Sequence, residues 1–167
     1  MTSSPIINIG VLGAASIALR SVIPAISSLP NHFRLAGISS RDRSKAVLIS
    51  SSYVCKAYGS YESLLTDPSI DAIYIPLPNA LHYLFVKMAL ENGKHVLVEK
   101  SLGCTLDEVD KMVEVAKANN LVLFENFQFR FHSQLSTVLQ IINDGTIGDL
   151  RSMRVAFGFP PFSDPNN

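Results

Sequence analysis

Cysteine is scarce in this chain of 167 residues, which has two, Cys55 and Cys104. They stand in different segments without a C-x-x-C or Cys/His ligand spacing. That argues against a disulfide framework and a metal site, and it suits free thiols in a reducing cytoplasm. Positive charge is not in excess: Lys plus Arg and Asp plus Glu number 14 each. No surplus of cations is available to drive sequence-independent binding to nucleic-acid phosphates, so no nucleic-acid partner is expected. No apolar run reaches the ~20 residues of a membrane span, because Gly, Pro or charge interrupts each one. The sequence has no Asn-Gly turn between two strand patterns, its Asn92-Gly93 pair standing at the end of a helical pattern, and it has no internal repeat and no low-complexity tract. One stretch, "GVLGAASIA" from Gly10 to Ala18, admits two readings: the apolar centre of a signal peptide, or a phosphate-cradling loop. Met1–Ile9 holds no Lys or Arg, so the positive region that precedes a signal peptide's centre is missing.

What is present is apolar. Hydrophobic residues make up 47% and charged residues 17%, the balance of a chain that buries much of its length. The length allows one complete domain and part of a second. Short Val/Ile-rich runs alternate with helical patterns. Strands are predicted over Ile6–Leu12, Phe33–Ser39, Val54–Tyr58, Ala72–Ile75, His95–Glu99 and Leu121–Glu125. Between them fall helices over Ser16–Ser28, kinked at Pro24, then Arg43–Ser51, Tyr61–Leu65, and Ala80–Asn92, capped by Asn79 and stopped by Gly93. A last helix opens at the capping box Thr105–Glu108 and runs to Asn119. Strands joined only through helices require crossover connections, so residues 1–125 are expected to form a doubly wound α/β domain with a parallel sheet. Past Glu125 the pattern changes. Phe127, Phe129 and Phe131 alternate with Gln128, Arg130 and His132 and read as three buried rings, followed by a helix over Ser133–Asn143 and a long strand over Leu150–Phe159. One helix and one strand cannot bury their own apolar faces, so residues 126–167 read as the incomplete start of a second α/β domain.

The chemistry concentrates at strand ends. Gly13, Ala15 and Ala18 occupy the three small-residue places of a dinucleotide fingerprint, just after the first strand. The loop Gly13, Ala14, Ala15, Ser16 and Ile17 would then present helix N–H groups to a pyrophosphate; the competing reading is a merely structural tight turn. At the end of the second strand, Ser39, Ser40 and Arg41 replace the acid that usually holds an NAD ribose, which favours NADP, with NAD as the alternative and a solvated Arg41 as the plainer reading.

The segments "IGVLGAASIA", "SSRDRSKA", "DAIYIPLPNALHYLFVKMALENGKHVLVEKSL" and "DGTIGDLRSMRVAFGFPP" resemble successive landmarks of the glucose-fructose oxidoreductase/inositol dehydrogenase family of NAD(P)-dependent enzymes. "ENFQFRFH" and "FGFPP" are most similar to its branch that reduces 3-keto groups of nucleotide-linked deoxysugars. The resemblance implies that Lys100, in Glu99-Lys100-Ser101 where the family has E-K-P, assists proton transfer; the plainer reading is a solvated Glu–Lys pair. It implies that Pro76, Leu77, Pro78, Asn79 and His82, which contain the family's P-x-x-x-H, lie near the nicotinamide ribose, and that Glu99, Asn126, Arg130 and His132 line the cofactor and substrate cleft. In that family a second domain supplies the substrate pocket. The expected function is therefore hydride transfer between nicotinamide and a carbonyl or hydroxyl carbon of a sugar, in a homo-oligomer. The competing reading is a truncated, non-catalytic nucleotide-binding or interaction module. The 167-residue chain by itself is expected to bind NADPH without useful turnover, and to self-associate through the strand near Leu150–Phe159.

Overall fold

A computed structural model describes residues 5–156 and 158, and the chain divides into two units after Phe127. In the first unit the six apolar runs form strands β1 (Ile7–Leu12), β2 (Phe33–Ser39), β3 (Lys56–Tyr58), β4 (Ala72–Ile75), β5 (His95–Val98) and β6 (Leu123–Glu125). All neighbouring pairs are parallel, in the order β3-β2-β1-β4-β5-β6. The chain leaves β1 in one direction to β2 and β3 and returns to the other side of β1 as β4, the topology of a doubly wound dinucleotide-binding fold. Val11 pairs with Tyr74 across the β1/β4 seam, so the carboxyl ends of these strands open the crevice where the strand order reverses.

Period-two alternation sends side chains to both faces of the sheet. Leu12, Ile73, Ile75 and Val98 pack with Leu64, Phe85, Leu90 and Met112, from α3 (Tyr61–Leu65), α4 (His82–Glu91) and α5 (Leu106–Ala118). On the opposite face Val11, Ile38 and Tyr74 pack with Ala18, Ile23, Ile26 and Ile49, from α1 (Ile23–Ser28), the turn before it and α2 (Arg43–Tyr53). Burial of both faces is why the strands read as continuous apolar runs.

The expected kink at Pro24 takes the form of a π-helical turn over Ala18–Val22 leading into α1. Proline has no N–H to return to the preceding turn and crowds its carbonyl; the backbone widens, and the Ile23 N–H bonds Ala18 O, five residues back. The predicted strand at Val54 starts two residues later, because Val54 (φ 52°) is the left-handed cap of α2. Asn79 does not cap α4. It opens a 3-10 turn over Asn79–Leu81, and its carbonyl receives the His82 N–H, so backbone groups close this helix start without a side chain. The capping box Thr105/Glu108 is present as expected.

At the amino ends of the strands, Asp67 accepts hydrogen bonds from the Ser69 hydroxyl and amide, the Lys56 ammonium and the Tyr58 hydroxyl. Nearby, the buried Lys94 ammonium donates to Asp67 O and Ile70 O at 2.7 and 2.8 Å. The bonds from Ser69, then Lys56, hold the Asp67 carboxyl well below its ordinary value of 3.8. A folded-state value below the unfolded one contributes stability that is present above pH 3.8 and is lost as pH falls below it. Thermal melts across that range are expected to show a shallower acid-side fall for Asp67→Asn than for the parent chain; parallel curves would remove Asp67 from the acid response.

In the second unit Gln128–Phe131 forms a 3-10 turn and α6 covers Ser133–Asn143. His132 caps α6, its Nδ1 accepting the Gln134 N–H at 3.1 Å. Phe127, the last residue of the first unit, and Phe129 and Phe131 in this turn are 36%, 64% and 73% exposed, contrary to the expectation of three buried rings, because a 3-10 turn does not convert period-two alternation into one apolar face. The strand expected over Leu150–Phe159 does not form at 150–156 or 158; Phe157 and Phe159 lie outside the described residues. A strand needs a neighbour for its backbone groups, and among the described residues of this unit none is offered. The self-association expected through that strand loses its basis.

Candidate functional site

The cleft at the β1/β4 seam has a volume of about 480 Å³. Its floor is the turn after β1. Gly13 has φ +123°, a conformation L side chains rarely adopt, and a Cβ there would meet Leu77 Cδ2 at 2.8 Å. The Gly13 N–H is tied to Ser39 O at 2.8 Å, which joins the turn to the end of β2. Ala14 and Ala15 continue the lining, and Ser16 and Ile17 begin the helix whose first N–H groups face this end of the sheet. Pro76, Leu77 and Pro78, released where β4 ends, form the opposite wall, together with Leu81 and Tyr61.

The third side is polar. Ser40, Arg41, Asp42 and Lys45 line it. Asp42 is the N-cap of α2 and accepts the Ser44 and Lys45 amides, so its carboxylate is engaged. Arg41 and Lys45 are exposed, and among the described residues neither makes an ion pair. Lys45, Asp42, Tyr61 and Leu81 were not singled out from sequence. No local signal marks Lys45, which enters from the first turn of α2 just past the Asp42 cap.

These residues fit a dinucleotide on one observation: the Gly13 turn leaves a cradle that any Cβ would fill, with Ala14, Ala15 and the cations of the third side around it. Ser39 Oγ, at the end of β2, has no hydrogen-bond partner among the described residues, but Ser39 is fully buried and does not line the cleft.

Lys100 stands outside this lining, two residues beyond β5, exposed and with no ion pair among the described residues. Its neighbours are tied down. Glu99 Oε1 accepts the Tyr74 hydroxyl at 2.7 Å and Asn126 Nδ2 at 2.8 Å; burial, then that carboxylate, pushes the Tyr74 phenol far above its ordinary range. Leu102 N–H donates to Glu125 Oε1 at 2.8 Å. The Lys100–Ser101 peptide bond is cis. The Asn126 side chain is thus bound to Glu99 and does not line the cleft. His82 is fully buried, and both its ring nitrogens face backbone carbonyls. Asn79 is exposed in its turn, and Arg130 belongs to the second unit.

A parallel sheet of this order with a glycine turn, a helix start and free cations at its reversal point defines a dinucleotide-binding α/β protein. The chain belongs to the Gfo/Idh/MocA oxidoreductase family with an NAD-binding Rossmann fold, whose model matches residues 7–127. It is 42% identical over 158 residues to a dTDP-3,4-didehydro-2,6-dideoxy-α-D-glucose 3-reductase of Streptomyces antibioticus, covering 95% of this chain and 48% of that protein. It is 38% identical over 151 residues to D-xylose 1-dehydrogenase (NADP(+)) 2 of Haloferax volcanii, covering 90% and 46%. Among solved structures it resembles KijD10, a 3-ketoreductase from Actinomadura kijaniata in complex with NADP and TDP-benzene, with a TM-score of 0.81 and 34% identity over 84% of this chain and 43% of that one. The chain spans about half the length of the curated relatives it matches.

Proposed function

We propose that this chain is the cofactor-binding part of an NADP(H)-dependent reductase that acts on a keto carbon of a nucleotide-linked sugar. The observation that carries this reading is the pair Arg41 and Lys45 on the rim of a cleft in which Asp42, the carboxylate among the described lining residues, is spent on capping α2. Two cations and the Ser40 hydroxyl match a 2′-phosphate, whereas an NAD ribose diol calls for a free acid at this strand end. The sugar follows from two of the similar proteins: the name of the Streptomyces antibioticus relative gives a dTDP-linked keto sugar, and the solved KijD10 holds NADP and TDP-benzene.

When bound, the nicotinamide supplies hydride. Lys100 donates a hydrogen bond to the ketone oxygen and passes it a proton as negative charge develops there, so that the carbonyl becomes an alcohol. Glu99, fastened by Tyr74 and Asn126, holds the backbone from which Lys100 extends. Cytoplasmic residence and homo-oligomeric assembly belong to the same reading. The free thiols of Cys55 and Cys104 support the first, and the apolar side chains of Val138 and Leu139 exposed on α6 support the second.

Calorimetric titration is expected to give tighter binding of NADPH than of NADH, and Arg41→Ala to reduce that preference by about 1–3 kcal/mol, the scale of a charged hydrogen bond. Lys45→Ala acts in the same direction. Equal affinities of the parent chain for the two cofactors would overturn the assignment to NADP.

A further inference from the structure

We propose that His82 is the positioning residue of this site, a buried clamp that fastens the loop walling the phosphate turn to the loop carrying Lys100. His82 opens α4 and is fully buried. Its Nε2 lies 2.8 Å from Leu77 O and its Nδ1 2.7 Å from Ser101 O. Leu77 is the residue whose side chain a Cβ on Gly13 would strike, and Ser101 follows Lys100 directly. One ring therefore spans the ends of two adjacent strands, β4 and β5, and meets the loop that follows each: the Leu77 wall of the cleft and the segment that carries Lys100. Imidazole suits this place because its two ring nitrogens point in different directions within one rigid plane, so a single ring meets a carbonyl on each loop and bonds the one that faces its N–H. An aliphatic side chain of similar volume would fill the space and leave both carbonyls without a donor.

The other bonds to the Lys100 segment stop on either side of it. Glu99 is held by Tyr74 and Asn126, and Leu102 by Glu125. Among the described residues, His82 supplies the side-chain bond to Ser101 itself and the tie across to the β4 loop. Its loss frees the lysine relative to the cofactor wall while the sheet and the Gly13 turn remain. The residue acts through Leu77 and Ser101 and does not line the cleft.

The inference rests on the reading of the cleft as a dinucleotide site, and its first test does not depend on that reading. Amide hydrogen exchange on the unliganded 167-residue chain uses two reporters, Leu102 N–H on Glu125 and Leu81 N–H on Pro78 O. His82→Leu is expected to speed exchange at both by about tenfold, the loss of one hydrogen bond's stabilisation, with the amides of β1 and β5 unchanged. His82→Gln, which keeps a side-chain N–H donor, restores part of the protection and serves as the second variant if the leucine chain does not fold. Unchanged exchange at both reporters, or uniform acceleration through the whole domain, would overturn the clamp. A binding comparison then separates positioning from general packing. NADPH affinity should fall about tenfold in His82→Leu and 2′,5′-ADP affinity only about twofold, because that fragment lacks the nicotinamide half that meets the Lys100 loop. Equal losses for the two ligands would assign His82 to packing alone. A parent chain that binds neither ligand would overturn the dinucleotide reading, while the exchange pattern still decides the clamp.

Discussion

Gly13→Val is expected to abolish measurable dinucleotide binding, with a fall in NADPH affinity of at least about 100-fold, while the domain stays folded. Two effects act together. The residue sits at φ +123°, where a β-branched side chain is strained, at a cost of about 1–3 kcal/mol. Its Cβ would stand 2.8 Å from Leu77 Cδ2, so either the Leu77 wall moves or the turn opens, and each change disrupts the approach to the helix start that a pyrophosphate needs. The strain is confined to the turn, since the neighbouring Val11 and Leu12 are already buried in their own layers. Fluorescence titration with NADPH, alongside a far-ultraviolet dichroism melt, checks both halves of the expectation. Binding by the valine chain within about threefold of the parent would remove the Gly13 turn from the site.

The second large effect concerns the lysine. Lys100→Met is expected to lower the rate of NADPH oxidation by roughly 10²–10⁴-fold, the usual contribution of a positioned general acid. NADPH affinity should stay within about twofold of the parent, because the Lys100 ammonium is assigned to the ketone oxygen and not to the cofactor. The measurement is single-turnover oxidation of NADPH by a nucleotide-linked 3-keto sugar, with the 167-residue chain and with the same residues fused to the C-terminal half of a related 3-ketoreductase. Transition-state stabilisation needs the reacting carbon held against the nicotinamide, so turnover is expected from the fusion and not from the chain alone. An unchanged rate in the methionine fusion would take Lys100 out of the mechanism.

Some parts of this site were legible from local pattern. Gly13 could be recognised because a glycine ending an apolar run and opening a helical pattern has few other uses, and its positive φ follows from the same turn. Arg41 could be recognised because the end of β2 in this fold is where a ribose is distinguished. Lys45, Tyr61 and Leu81 could not, since each reaches the cleft from an element whose orientation depends on how α2, α3 and the turn before α4 pack on the sheet. The family resemblance places His82 near a ribose, whereas the ring is fully buried and turned inward onto two carbonyls. Phe129 and Phe131 misled because alternation along the chain implies a buried face only where the backbone is a strand with a sheet to join.

What the sequence by itself determined is the succession of elements and their punctuation: six apolar runs, the helices between them, the box at Thr105 and Glu108, the stop at Gly93 and the turn at Gly13. These depend on interactions within a few residues, where hydrophobic period and backbone stereochemistry act directly. Only the tertiary structure decided that β4 returns beside β1, so that Leu77 closes over Gly13, and that Glu99, Ser101 and Leu102 are each held by a side chain from 19 to 25 positions away in the chain. Such contacts form when packing brings strand ends together, and the amino-acid types involved, tyrosine, histidine and glutamate, carry no local mark of the partner they will meet.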